Sequence, residues 1–109
     1  MTDKLEVLSA LAATVRSRRT ASSETSYTAR LLSEGIESCA KKVSEEAGET
    51  ALAAVEGDRD HLRREVADLV YHLIVLLEAA ELPLADVMIE LERRVGIGGL
   101  VEKAARRGN

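Results

Sequence analysis

The chain has almost no aromatic residues and a single cysteine, and each scarcity limits what it can be. It contains no Trp, no Phe and two Tyr among 109 residues. Its core must therefore be built from Leu, Val, Ile and Ala, which are typical of packed helices. With Cys39 as the one cysteine, an internal disulfide is excluded, which fits a reducing compartment. Such a small chain buries only a modest share of its surface, so association would help to stabilise it.

The chain also lacks an excess of positive charge and a long apolar run. Its formal net charge is -4 and its pI is near 5.2. Nucleic-acid binding without sequence preference needs a basic face, so we expect no nucleic-acid partner. Uncharged runs such as residues 69–77 are too short to span a bilayer, and Asp3 and Glu6 do not suit a signal peptide. We therefore expect a cytoplasmic protein with no membrane association.

Apolar residues recur at helical spacing through most of the chain. This periodicity predicts helices over about residues 4–18, 28–56, 60–80 and from residue 84 onward. A kink or break is expected near Gly35, a helix end at Gly57 with Asp58 or Asp60 capping the next helix, and a break at Pro83. Glycines at 96, 98 and 99 predict a joint before a basic tail. We predict one all-α domain spanning residues 1–109, a bundle of four to five helices completed by homodimerisation.

The same periodicity predicts which residues face the core. On the second helix the expected buried stripe is Leu32, Ile36, Ala40, Val43, Ala47, Ala51 and Ala54. On the third it is Leu62, Val66, Leu69, Val70, Leu73 and Leu77, and on the fourth Leu84, Val87, Met88, Leu91 and Val95.

Two pairs of acids stand out against these stripes. Glu46 and Glu49 are three positions apart, as are Glu65 and Asp68, so each pair lies on one side of its helix. Each pair borders an apolar stripe, where a bare charge is costly to bury. If the two helices pack antiparallel, their acidic flanks meet and offer oxygen ligands to a cation such as Mg²⁺. The alternative is a solvated flank on which Lys42 pairs with Glu46.

Some polar residues elsewhere in the sequence have two possible roles. His72 borders the acidic face, where it either binds a ligand or phosphate or is a partly buried polar group. The run Ser26-Tyr27-Thr28 precedes a helix, so capping is its default role, although the same geometry offers N–H groups and hydroxyls to a phosphate. Cys39 lies beside the apolar stripe and is interpreted as a small core residue.

The pattern Glu45-Glu46-x-x-Glu49 followed by Glu65-x-x-Asp68 resembles the signature of the all-α nucleotide pyrophosphohydrolases, the MazG-like superfamily. Within it, most of the chain resembles the phosphoribosyl-ATP pyrophosphohydrolase family of histidine biosynthesis. The resembling segments are residues 26–31, 41–47, 57–58, 67–73, 84–94 and 99–104. Two positions depart from the family pattern. Ser44 stands where Gly is usual, and Arg30, where Lys is frequent, keeps the charge but changes the contact geometry.

This resemblance implies hydrolysis of phosphoribosyl-ATP to phosphoribosyl-AMP and pyrophosphate, with Mg²⁺ as cofactor and Mn²⁺ as a substitute. It also implies a homodimer in which helices of two subunits form the site. The implied metal ligands are Glu46, Glu49, Glu65 and Asp68. The implied catalytic residues are Glu45, Glu46 and Glu49, with Glu45 in a supporting or general-base role. The implied substrate-binding residues are Ser26, Tyr27, Thr28, Arg30, Lys42 and His72.

Other functions fit parts of the same pattern. A related enzyme would use the same acids on dUTP, dCTP or a damaged nucleotide, although the Ser-Tyr-Thr run argues against it. A metal-free helical interaction module would leave the acids as solvated surface. A di-iron carboxylate bundle requires Glu-x-x-His pairs, and no Glu stands three residues before His61 or His72.

Overall fold

The computed structural model describes residues 3–96, and within that range it contains five α-helices and no strand. The helices are α1 (Glu6–Ser17), α2 (Tyr27–Glu34), α3 (Ile36–Glu56), α4 (Arg59–Ala79) and α5 (Leu84–Val95), with a short 3-10 turn at Arg18–Thr20. The all-α prediction is confirmed. None of the described helices combines the length and hydropathy needed to cross a bilayer. The glycines at 98 and 99 and the basic tail lie outside the described residues.

Local chemistry sets the helix boundaries much as the sequence predicts. Gly35, at φ +95°, separates α2 from α3, so the predicted break is confirmed. Gly57 ends α3 in the left-handed region at φ +81°, which a residue without Cβ adopts easily. Asp58 then caps α4, because its Oδ1 accepts a hydrogen bond from the His61 N–H at 3.1 Å. The same interaction holds the pKa of Asp58 below its usual value.

The two longest helices, α3 and α4, pack against each other as an antiparallel hairpin, and α1 and α2 cover one end of the pair. The core cluster is Val15, Leu31, Cys39, Ile74 and Val75. Cys39 belongs to this core, as expected for a small buried side chain, and its thiol donates to the Leu31 carbonyl at 3.4 Å. Burial raises the pKa of that thiol, which keeps it protonated and unreactive.

The buried face of α3 differs from the predicted one. The residues turned toward α4 are Cys39, Val43, Glu46, Thr50 and Ala53, all buried or half-buried. The predicted stripe was wrong at Ile36, Ala40, Ala47, Ala51 and Ala54, which are exposed. Alanines surround this helix on more than one side, so periodicity alone does not select the face that packs. As a result, the acids of α3 lie at the edge of the α3–α4 seam itself.

Several apolar residues predicted to face inward are exposed in the single chain. Val66 and Leu73 on α4 each keep 41% of their surface accessible. Helix α5 contributes no fully buried residue, and Met88, Leu91 and Val95 are exposed. The prediction that these residues lie inside one chain was wrong, because each helix has an apolar face that no other described element covers. Exposed apolar faces of this kind mark surfaces for association.

Candidate metal and substrate site

Three of the four predicted acids converge where α3 meets α4. Glu46 and Glu49 stand one turn apart on α3, and Glu65 faces them from α4. Each offers a carboxylate oxygen, and these oxygens all lie within 4.8 Å of one another. Glu46 and Glu65 are half-buried, whereas Glu49 is exposed. Asp68, one turn further along α4, is exposed and stands outside this group. We call Glu46, Glu49 and Glu65 the carboxylate cluster.

The carboxylate cluster holds more negative charge than its surroundings satisfy. The Oε2 atoms of Glu46 and Glu65 are buried and have no hydrogen-bond partner among residues 3–96. A hydrogen bond with Glu65, together with the charges of Glu46 and Glu65, raises the pKa of the Glu49 carboxyl. Unpartnered buried carboxylate oxygens are costly, and a bound cation removes that cost. An all-oxygen donor set suits a hard cation such as Mg²⁺ or Mn²⁺.

Two neighbours hold the carboxylate cluster in place. His61 contacts Glu65 Oε1 through Nε2 at 3.4 Å and Glu56 Oε2 through Nδ1 at 3.5 Å. Thr50 Oγ1 donates to the Glu46 carbonyl at 2.8 Å and lies 3.2 Å from the Glu65 carbonyl on the other helix. Sequence reasoning missed Thr50. The sequence gives one indication of its role, because the hydroxyl of a Thr within a helix often donates a hydrogen bond to the carbonyl four residues earlier.

Lys42 stands one turn before Glu46 and is half-buried, whereas Lys41 is exposed. Its Nζ lies 3.5 Å from Glu45 Oε2, so the lysine pairs with Glu45 rather than with Glu46. The negative charge of Glu45 raises the pKa of Lys42. Glu45 is therefore engaged by Lys42 and stands outside the carboxylate cluster.

A tyrosine–histidine group lies where α2 meets α4. His72 is buried, and its Nδ1–H donates to the Asp68 carbonyl at 2.8 Å. In the neutral imidazole Nε2 is then the acceptor, and the Tyr27 hydroxyl stands 3.3 Å from it. The Tyr71 hydroxyl bonds Thr28, and burial raises the pKa of Tyr71. The rings of Tyr27 and Tyr71 stack with centroids 6.4 Å apart. We call Tyr27, Tyr71 and His72 the aromatic group.

The first turn of α2 brings further predicted substrate residues to the aromatic group. Ser26 caps the helix by accepting from the Ala29 N–H at 3.1 Å. The guanidinium of Arg30 lies 5.8 Å from the centre of the Tyr27 ring, within the range of a cation–π contact. The structure thus gathers Ser26, Tyr27, Thr28, Arg30 and His72 at one place. The backbone of Asp68 links that place to the helix that bears Glu65.

A helical hairpin with a carboxylate cluster on its seam and a polar aromatic group on α2 and α4 defines an all-α domain with a candidate metal and substrate site. Comparison with known proteins gives the particular family. The family model for phosphoribosyl-ATP pyrophosphohydrolase matches residues 8–95. The chain belongs to this family, and it is an enzyme of the hydrolase class.

Curated relatives agree with this family over nearly their whole length. A phosphoribosyl-ATP pyrophosphatase from Cereibacter sphaeroides is 52% identical over 102 residues, covering 94% of this chain and 99% of the relative. Its counterpart from Methylobacterium radiotolerans is 57% identical over 100 residues, or 92% and 94% of the two chains. The Agrobacterium fabrum protein of the same name is 54% identical over 99 residues, or 91% and 92%.

Proposed function

We propose that this chain hydrolyses phosphoribosyl-ATP to phosphoribosyl-AMP and pyrophosphate, a step of histidine biosynthesis. The assignment of the substrate rests on the family match and on the names of the relatives. The observation that carries the chemistry is the carboxylate cluster, with its two unpartnered buried oxygens. Water attacks the phosphoanhydride between the α- and β-phosphates, and pyrophosphate leaves with the negative charge of the broken bond.

We propose that Glu46, Glu49 and Glu65 hold Mg²⁺, and that Asp68 joins them from the next turn of α4. A Mg²⁺ ion held by these residues would supply positive charge that neutralises the phosphates of the substrate. The missing hydrogen bonds favour this assignment. Among the described residues, the buried Oε2 atoms of Glu46 and Glu65 have no hydrogen-bond partner, and a cation would satisfy them. Mn²⁺ prefers the same oxygen ligands and is expected to substitute.

The remaining residues bind and orient the substrate in this proposal. Lys42 exchanges its Glu45 partner for a phosphate oxygen, which frees the Glu45 carboxylate to accept the proton of the attacking water. Arg30 stands on the exposed side of Tyr27, where it meets a second phosphate. The hydroxyls of Ser26 and Thr28 lie at the N-terminus of α2, whose free N–H groups favour anions. The bond between Tyr27 and His72 keeps this turn against α4.

A pyrophosphate-release assay tests the proposed reaction. The purified chain is given phosphoribosyl-ATP, ATP, dUTP or dCTP, with Mg²⁺, with Mn²⁺ or with EDTA, and the nucleotide product is identified by chromatography. We expect phosphoribosyl-ATP to yield phosphoribosyl-AMP and pyrophosphate when Mg²⁺ or Mn²⁺ is present, and no product in EDTA. Faster turnover of dUTP or dCTP would identify a related nucleotide hydrolase instead.

Thermal unfolding tests the metal site without any substrate. A cation that binds the folded state alone raises the Tm, so we expect Mg²⁺ and Mn²⁺ to stabilise the chain. No rise in Tm, together with no hydrolysis of any nucleotide, would favour a metal-free helical interaction module.

We also propose that a second copy of the chain covers the exposed apolar faces of α3, α4 and α5. Leu52 and Val55 on α3 are 65% and 87% exposed, and Val66 and Leu73 line α4. The described helices leave this apolar surface uncovered, and an identical partner is suited to bury it.

A further inference from the structure

We infer that Thr50 is a positioning residue that sets the distance between the two halves of the carboxylate cluster. This inference rests on the proposed metal site and names a residue outside its ligands. The Thr50 hydroxyl has one hydrogen and faces two carbonyls, those of Glu46 at 2.8 Å and Glu65 at 3.2 Å. Each carbonyl belongs to a residue whose side chain enters the carboxylate cluster, one on each helix.

The need for such a tie follows from the charges at the seam. Three carboxylates whose oxygens lie within 4.8 Å repel one another, and that repulsion acts to part α3 from α4 at this level. The hydroxyl of Thr50 opposes it by a shared hydrogen bond to the backbones of both ligand-bearing residues. Thr50 itself lies half-buried in the seam, one turn after Glu46. The distance between the Glu46 and Glu65 side chains therefore depends on an atom that touches neither carboxylate.

A structural role alone predicts a different result from a positioning role. If Thr50 merely satisfies its own hydroxyl, its loss changes the free energy of unfolding and leaves cation affinity as it was. If it sets the spacing of the ligands, its loss weakens cation binding more than it weakens the fold. Groups that orient metal ligands without touching the metal typically change affinity about 10–100-fold when removed.

The experiment measures Mn²⁺ binding to the metal-free chain by electron paramagnetic resonance, with no substrate present. Thr50→Val keeps the shape of the side chain but removes the hydroxyl, and Thr50→Ser keeps the hydroxyl but removes the methyl group. We expect Thr50→Val to raise the Kd for Mn²⁺ by about tenfold or more and Thr50→Ser to stay within about threefold of wild type. The matched control is Thr25→Val, which removes a hydroxyl–carbonyl contact of 3.4 Å in the exposed turn before α2 and leaves the Kd unchanged.

Circular dichroism in EDTA accompanies each titration, so that affinity is compared between folded chains. If Thr50→Val does not fold, Thr50→Ala takes its place in the comparison with Thr50→Ser. Equal Kd values for wild type and the hydroxyl-free variant would overturn this inference and leave the proposed function standing. An equal loss in Thr50→Ser would also overturn it, because the effect would then follow the methyl group. A wild-type chain that binds no Mn²⁺ would overturn both the inference and the proposed metal site.

Discussion

The carboxylate cluster is an exception to the general rule that buried charged groups have hydrogen-bond or ion-pair partners. Glu46 and Glu65 each keep one buried oxygen without a donor among the described residues, although both helices could carry neutral side chains there. Local violations of this kind are typical of functional sites, where stability is exchanged for binding. The cluster is therefore the first place to separate function from folding by substitution.

We expect Glu49→Gln and Asp68→Asn each to abolish most Mg²⁺-dependent turnover, by at least about 100-fold, while the fold survives. Each change removes a negative charge and keeps the volume of the side chain. Pyrophosphate release at limiting Mg²⁺ measures the effect, and circular dichroism reports the fold. Glu24→Gln, an exposed acid in the loop before α2, serves as the control. Wild-type rates in both variants would show that the metal lies elsewhere.

We expect Lys42→Ala to lower kcat/KM more than Lys41→Ala does, by on the order of tenfold. Lys42 is half-buried beside the acids and paired with Glu45, whereas Lys41 points away into solvent. Steady-state kinetics on phosphoribosyl-ATP measures the difference, with Tm as a check that neither change harms the fold. An equal or larger effect at Lys41 would mean that the phosphate approaches from another side of α3.

At the scale of the helices, the turn after α4 contains a residue whose type does not suit its backbone conformation. Glu81 has φ 57°, in the left-handed region where a glycine is usual. It follows the C-cap residue Ala80, and the Leu82 N–H closes the turn onto the Leu77 carbonyl at 2.9 Å. A side chain with a Cβ is strained there, so this helix end stores energy that a glycine would release.

We expect Glu81→Gly to stabilise the chain by about 0.5–1 kcal/mol, since relief of strain exceeds the added entropy of the unfolded chain. Urea unfolding at one fixed protein concentration measures the gain. Glu81→Ala is the control, because it removes the same carboxylate and keeps the Cβ. If the alanine variant gains as much as the glycine variant, charge rather than backbone strain is the cause.

The helices and their ends were predictable from sequence because their causes are local. Gly35, Gly57, Asp58 and Pro83 act on the residues beside them, and each appears at a boundary. The packed face of α3 was not predictable. Alanines lie on several sides of this helix, so apolar periodicity does not identify the face that packs against α4. The cross-helix contact of Thr50 depends on how α3 and α4 are aligned, which no local pattern encodes. The convergence of Glu46, Glu49 and Glu65 was predictable because a spacing of three puts paired acids on one side of a helix, whereas Asp68, expected with them, lies outside the carboxylate cluster.

For the whole molecule, the exposed apolar faces decide the state in which it is stable. We expect a homodimer as the smallest stable unit, measured by sedimentation down to nanomolar concentration. Leu73→Glu, on the exposed face of α4, should weaken the dimer by at least about 30-fold, because it buries a charge at the interface. Leu5→Glu, before α1 and 74% exposed, should leave association unchanged. A folded wild-type monomer at nanomolar concentration would contradict this prediction.

The stacked pair of Tyr27 and Tyr71 has an optical consequence. The chain has no Trp and no Phe, so its near-ultraviolet absorbance and its intrinsic fluorescence come from these two rings. Both lie in the aromatic group, 6.4 Å apart, and one of them carries Arg30 over its face. We therefore expect a nucleotide that binds at this surface to change the emission of the entire protein. Tyrosine fluorescence would then measure occupancy of the candidate substrate site without a dye and without a substitution.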